Sequence, residues 1–400
     1  MKKILTVLFI LCLSIQLSAQ QTARIASYNV HNYPNGYDTY IQKVISAFSP
    51  DALIVVEMGS DASVAQFLSN CLSSDYSSAT AGSISSYNDC AFYYKSSVFT
   101  LISSELVYAT TRDISEFKIV HNITKDTLII FGVHLKANSY TSTDNNASNQ
   151  AKRASAAAYL RTETAAFSST ANYLVCGDFN IFSSTETAFQ NLVGNTASKG
   201  YFIDMMNVTG DWCEDSAFNN VCTYSTSDLD TRLDMILVSP SLMTSGGVDY
   251  SEFKIFGNDG NHFNSYVSSG TNSWFTDTSI GAALVTASDH LPIYADLKFG
   301  VTTTGVQASE VLPSDYSLSQ NYPNPFNPST EISYKIPASG FVSLKVCDLT
   351  GRVVASLVNE EKTAGNYKVK FNAGGLSSGV YFYMLRCSGA MITKKMVYLK

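Results

Sequence analysis

The chain opens with two lysines, an apolar run and then small residues, MKKILTVLFILCLSIQLSA over residues 1–19. That order reads as a secretory leader cleaved near Ala19, too short and wrongly flanked to hold the chain in a membrane. No later apolar run reaches the ~18 residues that span a bilayer, so no stable membrane anchor is expected. Over residues 20–300, short apolar runs alternate with amphipathic ones. ARIASYNV and DALIVVEM read as buried strands, followed by CAFYY, FTLISSELVY, TLIIFGVHL, ANYLVCGDF, LDMILVS and LPIYADLKF. Between the first two, Tyr37, Tyr40, Ile41, Val44, Ile45 and Phe48 recur at the 3–4 spacing of an amphipathic helix. SNQAKRASAAAYLRTETAAFS, rich in alanine, predicts a second helix. Strands mixed with helices in this way predict sheets covered by helices.

After residue 300 the pattern changes. Residues 301–320 are polar and rich in Thr, Ser and Gly, and read as a linker. From residue 321 to 400 the apolar positions alternate with polar ones in EISYKI, FVSLKVCD, GNYKVKF, GVYFYMLR and MITKKMVYL, with Gly and Asn turns between them. Period-2 alternation broken by turns predicts a small all-β sandwich.

Charge divides the chain in the same place. Residues 21–300 carry 14 Lys and Arg against 27 Asp and Glu, a balance of −13, while residues 301–400 carry 10 against 6, a balance of +4. A domain at −13 is poorly suited to non-specific polyanion binding, which runs on Lys and Arg against phosphates. Eight cysteines are present, and seven remain once Cys12 leaves with the leader. Cys213 and Cys222 flank a short polar loop and are the expected disulfide of an oxidising compartment. No CxxC or HxxxH accompanies them, so a zinc site is not expected there.

The chemistry sits at strand ends. Asn29 in SYNVHNY, Glu57 in IVVEMG, His134 in GVHLKA, Asp178 and Asn180 in CGDFN, Asp234 in RLDMILVS, and Asp289-His290 in ASDHLPI each follow or interrupt an apolar run. Singly, each has an ordinary structural explanation, such as a helix cap, a polar turn or a satisfied interior histidine. As an ordered set they point to one site, because the ends of adjacent strands lie close together. Carboxylates and an amide oxygen are hard ligands that suit Mg²⁺, Mn²⁺ or Ca²⁺. Histidines exchange protons near neutral pH, and Asp234 is the candidate to orient His290. No GxSxG elbow, Walker loop or HExxH is present.

GDFN and SDHLPI in this order, with SYNV and the Glu57 strand before them, resemble the endonuclease/exonuclease/phosphatase superfamily over about residues 22–300. The resemblance implies a four-layer α/β sandwich with two central sheets. It implies a divalent metal, Mg or else Mn or Ca, held by Asn29, Glu57 and Asp289. Asp178 and Asn180 would position or activate the attacking water and hold the phosphate, His290 with Asp234 would act as base or phosphate stabiliser, and His134 would act on the leaving group or the phosphate. Asn88 or Asp89 stands where a relative backs the second histidine with Glu. Arg112 in TTRDISEF resembles an arginine that contacts substrate phosphate, and a surface ion pair is an equal reading. In the tail, NYPNPFNP, LTGR, LSSGVY and the final Lys394-Lys395 resemble the C-terminal sorting domain of cargo exported by the type IX secretion system. That implies a secretion machinery as partner and delivery to the cell surface or medium.

For substrate, the residues favour a nuclease acting on DNA or RNA, helped by a local basic strip of Arg112, Lys136, Lys152 and Arg153. A sphingomyelinase-like or small phosphate-ester hydrolase is the alternative, and a non-catalytic surface-binding module a third. Residues 240–287 hold Phe253, Phe256, His262, Phe263, Tyr266, Trp274 and Phe275. They either touch bases or a membrane, or form a strand pair packed on the domain, which is the favoured reading.

Overall fold

The structure is a computed structural model. It describes residues 20–301 except 109–110, 139–142, 196–198, 227 and 244–246, and residues 317–400 except 322, 337–339, 350–351, 363–364 and 388–389. The leader and most of the linker lie outside the described residues. The chain divides into two compact units, one up to Thr303 and one from Thr304.

The first unit is built from β1 (Gln21–Tyr33), α1 (Asp38–Phe48), β2 (Ala52–Met58), α2 (Asp61–Cys71), β3 (Tyr76–Ala79), β4 (Ala91–Lys95), β5 (Phe99–Tyr108), β6 (Ile114–His121) and β7 (Thr127–His134). It continues with α3 (Thr143–Ala166), β8 (Tyr173–Asp178), α4 (Thr187–Val193), β9 (Ile203–Asp204), β10 (Asp234–Val238), β11 (Gly247–Ile255), α5 (Thr278–Ala287) and β12 (Ile293–Val301). Two six-stranded sheets result, in the orders β11-β12-β1-β2-β4-β3 and β5-β6-β7-β8-β10-β9. Ile54 and Phe92 of the first sheet pack on Phe117, Ile130, Leu174 and Ile236 of the second, all buried. The rings of Phe92 and Phe117 stack at 4.8 Å. On the outer face of the second sheet, Phe131, Val175 and Leu237 meet Ala157, Leu160, Ala188 and Leu192 of α3 and α4. On the outer face of the first, Phe48 of α1 stacks on Tyr294 at 6.1 Å, and Phe67 of α2 meets Tyr93 at 5.0 Å. Each such side chain contributes about 1.5–3 kcal/mol on full burial. The architecture is therefore the expected four-layer α/β sandwich.

The helices end where their sequences say they should. α2 starts at Ser60, whose side chain accepts from the Ser63 amide. α1 stops at Ser49 in a left-handed conformation, with Pro50 next. Two differences from expectation have plain causes. β6, ISEFKIVH, alternates buried and half-buried positions, but Glu116, Lys118 and His121 dilute its apolar signal. Among the described residues, 240–287 hold one strand rather than a pair: β11 adds to β12 at the sheet edge, and α5 follows a long loop.

The tail unit has β13 (Ser317–Leu318), β14 (Ser329–Ile336), β15 (Gly340–Cys347), β16 (Val353–Lys362), β17 (Gly365–Asn372), β18 (Gly379–Cys387) and β19 (Ala390–Tyr398). Sheets β13-β14-β17 and β16-β15-β18-β19 enclose Ile332, Tyr334, Leu344, Tyr383 and Met396. The small sandwich is as expected, but β13 falls inside the stretch read as linker. Asn321 explains part of the NYPNPFNP motif, since its amide donates to Pro323 O and Thr330 Oγ1, both at 3.0 Å.

The expected Cys213–Cys222 disulfide is not formed. Both thiols are free. Thr231 Oγ1 donates to Cys213 Sγ at 3.4 Å, and Cys222 Sγ donates to Phe218 O at 3.3 Å.

Candidate active site

Three neighbouring strand ends of the second sheet place His134, Asp178 and Asp234 side by side. His134 of β7 pairs with Asp178 of β8, and Asp178 with Asp234 of β10. Gly177 has φ +142°, and a Cβ there would lie 1.9 Å from Val133 O, so only glycine lets β7 and β8 cross this closely. The first sheet contributes Asn29 and Glu57 from adjacent β1 and β2. β1 is irregular between Asn29 and Tyr33, and His31, Asn32 and Glu57 all have positive φ. Strained backbone of this kind gathers at functional sites. The segment before β12 closes the site: Ser288 Oγ donates to Asn29 O at 2.8 Å and accepts from the His290 amide at 3.0 Å.

Two imidazoles flank one carboxylate. His290 Nδ1 donates to Asp234 Oδ2 at 2.7 Å, and His134 Nδ1 donates to Asp89 Oδ2 at 2.8 Å. Ionised carboxylates only accept, so each Nδ1 carries the proton. The two Nε2 atoms then face Asp178 Oδ2, at 3.9 Å from His290 and 3.7 Å from His134. Asn29 Nδ2 donates to Glu57 Oε1 at 3.0 Å and Asp178 Oδ2 at 3.3 Å, while its Oδ1 accepts from the His31 amide. The Asn180 amide N–H caps Asp178 Oδ1 at 2.9 Å. Asn180 Nδ2 donates to Leu135 O at 3.1 Å.

The surroundings push these groups' proton affinities apart. Burial raises the Asp178 carboxyl to about 6 against the pull of His290 and His134. Burial disfavours charge on His290, but Asp234 outweighs it and the imidazole rises to about 10. His134 is raised in the same way, with burial opposed by Asp89 and Arg112 working against the rise. Asp89 is lowered: burial opposes ionisation, and His134 and Arg112 overcome it.

Glu57, His134 and Asp178 offer ligand atoms that all lie within 4.8 Å of one another. Two carboxylates converging in a largely buried place, one with its carboxyl raised by burial, make a donor set that a divalent cation would relieve. The residues present fit such an ion. The convergent set is mixed oxygen and nitrogen; it contains Glu57 of the expected ligands, with the Asn29 amide 3.0 Å from Glu57 Oε1, and adds His134 and Asp178. Asn29 turns its amide nitrogen to the carboxylates. Asp289 Oδ1 is engaged by His31 Nδ1 at 2.7 Å and lies outside the cluster.

The expected basic strip is not a strip of free cations. Arg153 is wholly buried, holding Glu186 at 2.6 Å and Lys136 O at 2.6 Å. Arg112 is bonded to Asp89 beside His134, at the site but already paired. Of the aromatic stretch, Phe256, Trp274 and Phe275 pack on the core and on each other, and only Tyr266 is well exposed. His262 is buried, with Nδ1 at 2.8 Å from Asp259 and Nε2 at 2.8 Å from Ser269 O, a staple for the loop. Two residues at the site went unread. His31 was legible as a third polar residue in SYNVHNY. Tyr224, whose ring lies 4.9 Å from that of His290, is separated from it by 66 positions and has no local signal.

Residues 26–290 match the model of the Endonuclease/Exonuclease/phosphatase family, and residues 320–399 that of a Secretion system C-terminal sorting domain. The chain belongs to the Endonuclease/Exonuclease/phosphatase family, whose members are phosphoester hydrolases, and carries a type IX sorting domain as its tail. Among solved structures it is similar to an endonuclease/exonuclease/phosphatase family protein from Bacteroides thetaiotaomicron, at 16% identity over 70% of this chain and 98% of that one, with a TM-score of 0.47. It is also similar to humanized D. rerio TDP2, at 13% identity over 69% and 98%, TM-score 0.47. A third is a mannosyl-6-phosphatase from Bacteroides thetaiotaomicron, at 14% over 69% and 99%, TM-score 0.44. No curated protein matches the chain. Among the described residues no helix is long and apolar enough to cross a membrane.

Proposed function

We propose that this protein is an exported, divalent-metal-dependent phosphoester hydrolase. One observation carries the reading: Asp178 lies between two imidazole Nε2 atoms, each backed by its own carboxylate, beside Glu57. The buried Asp178 carboxylate, facing both Nε2 atoms, accepts the proton of the attacking water, and His290, with Asp234 on its Nδ1, donates a hydrogen bond to the phosphate. His134 Nε2, fixed by Asp89, faces the same space and serves the departing oxygen. Asn29 and Asn180 hold the carboxylates in register. A divalent ion held by Glu57 and Asp178 would supply positive charge to a phosphate oxygen. The sorting tail supports export to the cell surface or medium.

Chelation with EDTA is expected to abolish hydrolysis, with Mn²⁺ or Mg²⁺ restoring it and also raising the melting temperature of the wild type but not of Glu57→Gln. Full activity in the presence of chelator, with no metal-dependent shift in melting, would sink the reading.

A further inference from the structure

We propose, building on the hydrolase reading above, that the substrate is a compact phosphate ester with one phosphate on an uncharged ring, laid against Tyr224, and not a nucleic-acid strand. The first ground is the fate of the cations. The catalytic unit has 14 Lys and Arg, and none falls in its undescribed segments between residues 20 and 301. Of the four cations of the expected strip, Arg153 is consumed by Glu186 and Arg112, at the site, by Asp89. Of that strip only Lys136 and the exposed Lys152 are left to meet phosphates away from the reacting one. A strand held electrostatically uses about 6–10 phosphate contacts. The second ground is the sign of the unit itself. The unit carries 27 Asp and Glu against 14 Lys and Arg, so successive phosphates of a strand would meet a net negative surface, whereas a single phosphate needs only the reaction centre.

The third ground is an aromatic ring at the site. The half-buried ring of Tyr224 lies beside that of His290, with centroids 4.9 Å apart. Aromatic faces take the apolar face of a sugar or a base without adding charge. The shared chemistry is therefore a neutral ring bearing a phosphate, whether sugar or nucleoside.

The test compares a hexose 6-phosphate, a nucleoside monophosphate, ringless glycerol phosphate, single-stranded DNA and RNA, each with Mn²⁺ at 50 and 200 mM salt. The inference expects the two ring esters to have the highest kcat/KM, falling less than about threefold with salt. Tyr224→Ala should raise KM for a ring ester at least tenfold with a smaller change in kcat, and leave glycerol phosphate within twofold. The better ring ester identifies the source. Preferred cleavage of DNA or RNA, with a fall of about 10³-fold between the two salts, overturns this inference and leaves the hydrolase reading standing. Equal damage by Tyr224→Ala to ring and ringless esters also overturns it. No turnover of any ester overturns both.

Discussion

The two imidazole arms of the site look alike and are wired differently. His290 leans on Asp234, a carboxylate at the start of β10 in the other sheet, and no cation competes for that oxygen among the described residues. His134 leans on Asp89, whose same Oδ2 is also held by Arg112. Burial opposes charge on both imidazoles; Asp234 overcomes it and raises His290 to about 10, and Asp89 raises His134 while Arg112 works against that rise. The arginine therefore tempers one arm and not the other.

The harshest test removes what the arms share. Asp178→Asn is expected to cost about 10³-fold or more in kcat, with an unchanged circular dichroism spectrum, because both Nε2 atoms lose their common carboxylate. Near-wild-type turnover would remove Asp178 from the chemistry. Next, Asp234→Asn should cost about 10–100-fold in rate, as loss of an orienting partner does. In the metal-free protein it should bring the His290 imidazole down from about 10 toward its ordinary range, read by NMR. The sign carries to stability. A raised histidine stabilises the fold fully below the unfolded value of about 6.5 and loses that contribution as pH rises through the folded value, so the variant's stability deficit should shrink above pH 10. Arg112→Gln sharpens the contrast in the other direction. Freed from arginine, Asp89 should raise His134 further and cost less than about tenfold in rate. A tenfold or larger rise in KM instead would show Arg112 reaching the substrate phosphate. The smallest effect is expected from reductant: with Cys213 and Cys222 both thiols, dithiothreitol should shift the melting temperature by no more than about 1 °C.

Much of this molecule was legible along the chain. The strands carrying the site are near-continuous apolar runs because they are buried on both faces, and that pattern survives any ambiguity of pairing. The polar residues that end those runs stand out for the same reason. The tail alternated with period 2, and its composition shift marked the second unit. What local patterns missed were elements with diluted signals, such as β6, and pairings set by distant neighbours.

The sequence by itself determined the two-unit plan and the layered class and singled out Glu57, Asp178, Asp234 and His290 as candidates, since a buried strand must end somewhere and its terminal polar residues are few. Only the tertiary structure decided who partners whom. It chose Asp89 over Asn88 for His134, turned Asn29 nitrogen-first to the carboxylates, spent Arg153 on Glu186 and set Tyr224 beside His290. Charges and rings act over a few ångströms of space, and separation along the chain says nothing about that distance until the sheets have stacked.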